Sequence, residues 1–262
     1  MRRTVHVLFA VAASVAAMPV SADFLSLSSF GTAYTENFDT LANTGITNTA
    51  LPTGWALQET GTSTRVNQQY AAGTGSDNTG DTYSFGAAGS NERAFGTLLS
   101  GSITPTIGAS FVNNAGGTLT ALDISYTGEM WRAGVTNRGA ADRLDFQYSL
   151  DATSLTTGTW INVDALDFLS PNLNATAGAL NGNAAGNRTS LAQTIIGLSV
   201  ANGSTFWLRW NDVDVPSSDD GLAVDDFSLT ARGSVTSVPE PTTLALLGLG
   251  LAGLAASRKR NQ

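Results

Sequence analysis

Between Asp142 and Leu150 the chain alternates strictly: Leu144, Phe146, Tyr148 and Leu150 share one parity, and Arg143, Asp145, Gln147 and Ser149 the other. A period of two is the signature of a half-buried antiparallel strand, because successive side chains leave a strand on opposite faces. The same pattern returns in Ser204–Asp212, where Phe206, Leu208 and Trp210 oppose Trp207, Arg209 and Asn211. No stretch between the two termini shows a helical period. Gly, Thr, Ser and Asn dominate there, and Lys is absent.

About ten strands follow from this reading. Phe24–Phe30 and Tyr34–Phe38 open the domain. A short strand is expected over Thr64–Tyr70, then a loop over Ala71–Gly80 and a strand over Thr82–Phe85. Phe95–Leu99, Ser102–Phe111 and a long strand from Leu119 towards Trp131 fill the middle. Trp160–Val163, Thr194–Val200, Ser204–Asp212 and Gly221–Thr230 complete the set, with Asp164–Leu191 as a long excursion over the sheet. Many short strands separated by turn residues predict an all-β, two-sheet antiparallel sandwich.

The ends read differently. Arg2 and Arg3 precede an apolar run from Val5 to Ala17, and Val20-Ser21-Ala22 offers the small residues of a signal-peptidase site. Residues 1–22 are therefore expected to be a secretory signal helix cut between Ala22 and Asp23. At the other end, Pro239-Glu240-Pro241 is a stiff acidic plug after Val238. An apolar or small segment, 242–257, follows it, and Arg258, Lys259 and Arg260 close it. Two prolines keep the plug extended. The segment is at the short limit for a membrane helix of about 17–25 residues, and Gly248, Gly250 and Gly253 interrupt it. A plain anchor and a transient sorting tail both fit that length. The expected layout is signal peptide 1–22, sandwich 23–231, linker 232–237 and tail 238–262.

Without the two end segments the chain keeps eight basic residues, all Arg, against 20 acids, a net charge near −12. Such a surface repels nucleic acid and attracts divalent cations. There is no Cys, and the only His is His6, inside the signal. That removes Ser-His-Asp triads, Cys nucleophiles and ordinary zinc sites from the exported part. A glycosidase would need two carboxylates flanking a cleft, and no motif selects such a pair.

The tail residues Val238-Pro239-Glu240-Pro241, the run Leu244–Leu254 and Arg258-Lys259-Arg260 resemble the PEP-CTERM sorting signal of Gram-negative bacteria. The resemblance implies recognition by exosortase, transient inner-membrane insertion, and delivery to the cell surface or extracellular matrix of an exopolysaccharide-making cell. The order Glu36-Asn37-Phe38-Asp39, Leu51-Pro52-Thr53-Gly54-Trp55, Leu144–Asp151, Phe206–Trp210 and Gly221–Leu229 is similar to jelly-roll modules of the MAM and carbohydrate-binding kind. That similarity implies a structural Ca²⁺ tying the first strand to the last, at Glu36 with Asp225 and Asp226; a hydrogen-bonded structural Asp is the other reading. Asp225 shares parity with Phe227 and so is expected on the core side. Asp77–Asp81 reads as a second cation loop or a solvated turn. Tyr70, Tyr83, Trp131, Trp160 and Trp207 are the rings that could stack on a sugar, Trp131 and Trp207 foremost. Arg132, Arg138 and Arg143 are expected to pair with Glu129 and Asp142 at strand ends. The function these readings favour is a non-catalytic surface or matrix protein associated with exopolysaccharide. A secreted carboxylate-dependent enzyme, or an accessory module acting on extracellular polysaccharide, is the alternative.

Overall fold

The computed structural model describes residues 24–235. The signal segment and the sorting tail, with the helices expected in them, lie outside that range. Fifteen strands run in order: β1 Leu25–Leu27, β2 Ala33–Glu36, β3 Trp55–Gly61, β4 Tyr70–Gly73, β5 Asp81–Phe85, β6 Ala94–Leu98, β7 Ile103–Asn113, β8 Gly117–Ala133, β9 Arg143–Ser149, β10 Ile161–Asn162, β11 Phe168–Leu169, β12 Gly178–Ala179, β13 Arg188–Val200, β14 Thr205–Val213 and β15 Gly221–Val235. Two single turns of 3-10 helix, Asp164–Leu166 and Ala185–Asn187, are the only helical elements among the described residues. No described helix is long and apolar enough to cross a membrane.

The strands form two sheets. Sheet A runs β1-β7-β14-β9-β10, with β3 beside β1 along β7 and β11 beside β10 along β9. Sheet B runs β12-β8-β15-β6-β5-β4, with β13 on β8 and β2 on β15. Pairing is antiparallel except for β1 with β7 and β4 with β5. Between the sheets lies an aromatic core. Trp55 and Trp210 stack at 5.8 Å, and Phe227 meets both edge-on. Phe38, Phe95, Phe111, Phe146 and Phe206 surround them, fully buried. Edge-to-face and offset contacts of this kind add to the burial term.

The alternation in β9 and β14 is as expected: Leu144, Phe146, Phe206, Leu208 and Trp210 enter the core. Leu150 does not, because β9 stops at Ser149 and Leu150 turns out to solvent. Thr64–Gln69 is not a strand. The strand starts at Tyr70, runs to Gly73 inside the expected loop, and pairs parallel with β5. The excursion after Asp164 ends at Asn187, earlier than its composition suggests. From Arg188 the chain is the edge strand β13, paired only with β8, so most of its residues face water on either side and alternation is lost. β15 continues through Val235, four residues into the stretch read as linker, paired with the start of β8.

One irregularity positions the acids. Between Asp225 and Ser228, β15 spends three steps where β8 spends two. Asp226 carries the extra residue in a left-handed conformation at φ 48°. A bulge of this kind reverses the side-chain parity downstream. Leu222 and Val224 before it, and Phe227 and Leu229 after it, therefore all point into the core. Ala223 and Asp225 point to the outer face of sheet B.

Candidate functional site

The bulge separates the residues expected to hold one cation. Glu36 and Asp226 line one shallow depression with Thr35, Asn37 and Phe227. Glu36 is already engaged there: Oε1 accepts the backbone N–H of Phe38 at 2.9 Å, holding the left-handed turn that sends Phe38 into the core. Asp225 is on the other side of the sheet. Its carboxylate accepts the N–H of Asp226 at 2.7 Å, and its neighbours are Glu92 and Glu129. Asp225 is thus not on the core side, and Glu36 does not join it.

The outer face of sheet B carries a second, smaller core. Trp131 stacks on Phe85 with 3° between planes, and Phe85 on Tyr83, over Ala71, Ala94, Leu98 and Ala223. The segment Leu180–Asn187 closes over it. Leu180 N–H reaches Trp131 O at 2.8 Å, and a Cβ at Gly182 would fall 2.3 Å from Trp131 Nε1, so only glycine lets the segment lie this close. Trp131, 2 % exposed, cannot stack on a sugar, contrary to expectation. Beside it, carboxylate oxygens of Glu92, Glu129 and Asp225 lie within 4.8 Å of one another. Glu129 accepts from Trp131 Nε1 at 2.8 Å, and Glu92 from Asn183 Nδ2 at 2.5 Å. Burial, reinforced by repulsion from the other carboxylates, pushes Glu129 up to about 7 and Asp225 up to about 8.

Sheet A closes its outer face with another excursion. The loop Ser149–Trp160 lays Leu155 against Gly108, and Leu155 with Ala152 buries Trp207 to 4 % exposure. Trp207 is therefore off the inter-sheet core, as its parity requires, but it is covered and unavailable to a ligand. Trp160 packs partly buried against this cluster, with the Arg209 guanidinium 4.0 Å over its ring. From there a hydrogen-bonded line crosses three strands. Arg209 gives NH1 to Leu155 O and Nε to Gln147 Oε1, each at 2.6 Å, and Gln147 gives Nε2 to Asn162 Oδ1 at 2.6 Å. A second cross-strand row runs Gln58, Thr106, Asn211, Asp145. Thr106 Oγ1 lies 3.1 Å from Asn211 Oδ1, and Arg143 pairs with Asp145 at 2.5 Å.

The remaining acids are structural. Asp142 and Asp220 are fully buried at the sandwich end. Asp220 accepts from Gly134 N–H, Arg138 and Ser170, and Asp142 from the N–H groups of Arg143 and Asp220. Arg138 meets the expected acid Asp142 at 4.0 Å and a nearer one, Asp220, at 2.9 Å. Arg143 goes to Asp145 instead, and Arg132 to the carbonyls of Gly75 and Ser76. Glu59, 1 % exposed, receives Asn67 N–H, Gln68 N–H and both donors of Thr82. Asp212 lies between the sheets with neither oxygen hydrogen-bonded, and burial holds it well above the usual carboxylate range. Asp77 caps Thr79 in an exposed turn and gathers no other acid. Tyr70 and Tyr83 are buried.

Residues 237–260 match the PEP-CTERM protein-sorting motif. The chain is thus a two-sheet β-sandwich bearing a PEP-CTERM sorting signal, which implies export and sorting to the cell envelope. No curated protein matches it by sequence. Among solved structures it is similar to the CBM22-1 xylan-binding domain from Paenibacillus barcinonensis, at 13 % identity over 80 % of this chain and 99 % of that one, TM-score 0.37. It is also similar to the K3 cleaved adhesin domain of Lys-gingipain from Porphyromonas gingivalis, at 11 % identity over 56 % and 78 %, TM-score 0.35. A family 35 carbohydrate-binding module from Clostridium thermocellum aligns at 14 % identity over 59 % and 88 %, TM-score 0.28.

Proposed function

We propose that this is a non-catalytic surface or matrix protein of a Gram-negative bacterium that holds exopolysaccharide on the outer face of sheet A. Signal peptidase cuts it after Ala22. The tail inserts transiently in the inner membrane, where exosortase reads Val238-Pro239-Glu240-Pro241, with Arg258-Lys259-Arg260 on the cytoplasmic side. The observation that carries the glycan reading is the line Trp160–Arg209–Gln147–Asn162 beside the row Gln58–Thr106–Asn211. It is a cross-strand array of amide, hydroxyl and guanidinium groups ending on an aromatic ring, the chemistry that reads sugar hydroxyls and a pyranose face. The closely approaching carboxylates Glu92, Glu129 and Asp225 sit on the opposite outer face, two of them buried, which favours holding over cleaving. A glycan panel probed with the exported protein recovered from the cell surface tests this. Binding that Trp160→Ala abolishes supports it, and release of reducing sugar from any bound polymer would replace it with the enzyme reading. Export is tested separately by the mobility of the surface protein against a Pro239→Ala/Pro241→Ala variant. The variant should stay larger and membrane-bound; equal mobility and membrane retention of both would make the tail a plain anchor.

A further inference from the structure

We propose that Glu92, Glu129 and Asp225 bind one hard divalent cation of the calcium class, locking the Leu180–Asn187 segment onto sheet B. The three carboxylates come from three parts of the chain: the turn before β6, β8, and β15 just ahead of its bulge. Their ligand atoms lie within 4.8 Å of one another, a spacing at which one ion can bridge all three. Glu129 is 1 % exposed and Asp225 6 %.

Most other buried acids are met by an arginine or by several donors; Asp212 is not, but among the described residues it joins no group of carboxylates close enough to share an ion. Asp81 has Arg65, the pair Asp142 and Asp220 has Arg138, and Glu59 has four N–H and O–H donors. No arginine forms an ion pair with Glu92, Glu129 or Asp225 among the described residues. Arg93, next to Glu92 in the chain, gives its guanidinium to Ser84 and Gly73, and Arg188, opposite Glu129 across β13 and β8, acts on it without an ion-pair contact. Free lone pairs remain on the trio. Glu92 Oε1 is shut off from solvent with no hydrogen-bond partner. The buried Glu129 accepts only from Trp131 Nε1, on Oε2, so its Oε1 makes no hydrogen bond. Burying carboxylates unanswered is costly, and a cation removes the cost.

The ligand set selects the ion. It is all oxygen, and the exported chain has no Cys or His, so soft and imidazole-seeking metals have nothing to prefer. Calcium accepts six to eight oxygens at about 2.3–2.6 Å from irregular geometries. Asn183 lies on Glu92 at 2.5 Å through its amide. Turned over, that amide presents Oδ1 as a further neutral ligand from the covering segment; which way an amide points is set by its network.

The exported protein, freed of metal with EDTA at pH 8, is titrated with CaCl₂ by calorimetry and melted with and without the ion. One Ca²⁺ per chain is expected, with a melting temperature several degrees higher. Glu129→Gln and Asp225→Asn should each lose the shift, while Glu36→Gln and Asp226→Asn should keep it. If Glu129→Gln does not fold, the half-buried Glu92→Gln gives the same reading with at least tenfold weaker binding. A flat calorimetric trace and an unmoved melt with Ca²⁺, Mg²⁺ and Mn²⁺ would overturn the site. So would a calcium shift that survives Glu92→Gln and Asp225→Asn, since the ion would then sit elsewhere. Neither result touches the glycan reading of sheet A.

Discussion

The outer faces of the two sheets are each half covered by an excursion of the chain, and they are closed by opposite chemistry. On sheet A the Ser149–Trp160 loop is fastened by a guanidinium: Arg209 holds Leu155 O and Gln147, and lies over Trp160. What remains around it is largely neutral and hydrogen-bonding. On sheet B an acid reaches the Leu180–Asn187 segment: Glu92 takes Asn183 Nδ2, while Glu129 holds the Nε1 of Trp131, the ring on which the segment lies. A close glycine contact seats each cover, Gly108 under Leu155 and Gly182 over Trp131. The lesson is that similar architecture leaves one face polar and half open, suited to a ligand. It leaves the other packed and anionic, suited to an ion that completes the fold.

The sharpest break of this comparison is aromatic truncation. Trp131→Ala on sheet B should cost about 3–5 kcal/mol, the usual range for emptying a buried large aromatic site. Trp160→Ala on sheet A should cost about 1 kcal/mol, the scale of an exposed cation–π contact. Chemical denaturation of the two variants measures both; equal losses would mean that the faces are built alike. Next come the glycines. Gly182→Ala should cost roughly 1–3 kcal/mol by overpacking Trp131. Gly108→Ala should cost at least as much, because its Cβ would lie 2.2 Å from the backbone oxygen of Leu208, which cannot step aside.

The contribution of the sheet B acids to the pH dependence should be smaller still. In an unfolded chain Glu129 and Asp225 titrate near about 4, but folded they titrate at about 7 and about 8. Between those limits the folded state binds more protons than the unfolded state. Their contribution therefore lowers stability as pH rises from about 4 to about 8. Melts over that interval should fall in EDTA, and flatten on adding Ca²⁺ or in Glu129→Gln. Asp81, Asp142, Asp212 and Asp219 are raised as well and act in the same direction, so part of the slope should persist in that variant. Arg209→Ala should leave the slope unchanged.

Much of the architecture was legible because alternation survives where one face is buried and the other is not. Leu144, Phe146, Phe206, Leu208 and Trp210 show it. It failed at β13, since an edge strand wet on both sides has no reason to alternate. It also failed at Asp225, since the extra residue at Asp226 shifts parity without any Gly or Pro to announce it. The parity of Trp207 correctly took it off the inter-sheet core. Its burial depends on Leu155, about 50 residues earlier, which only the folded loop brings there. The carboxylate trio was half visible: Asp225 was singled out for a cation, but its partners Glu92 and Glu129 carry no mutual spacing. Sheet pairing between β8 and β15 and the turn before β6 assemble them.

The division between the faces comes down to one binding experiment. The exported protein and its Trp160→Ala and Glu129→Gln variants are titrated with the producing cell's own exopolysaccharide, all confirmed folded by their melts. Trp160→Ala should lose at least tenfold in affinity while Glu129→Gln binds as the parent does. Loss of binding in folded Glu129→Gln with Trp160→Ala unaffected would put the ligand on sheet B and contradict that division.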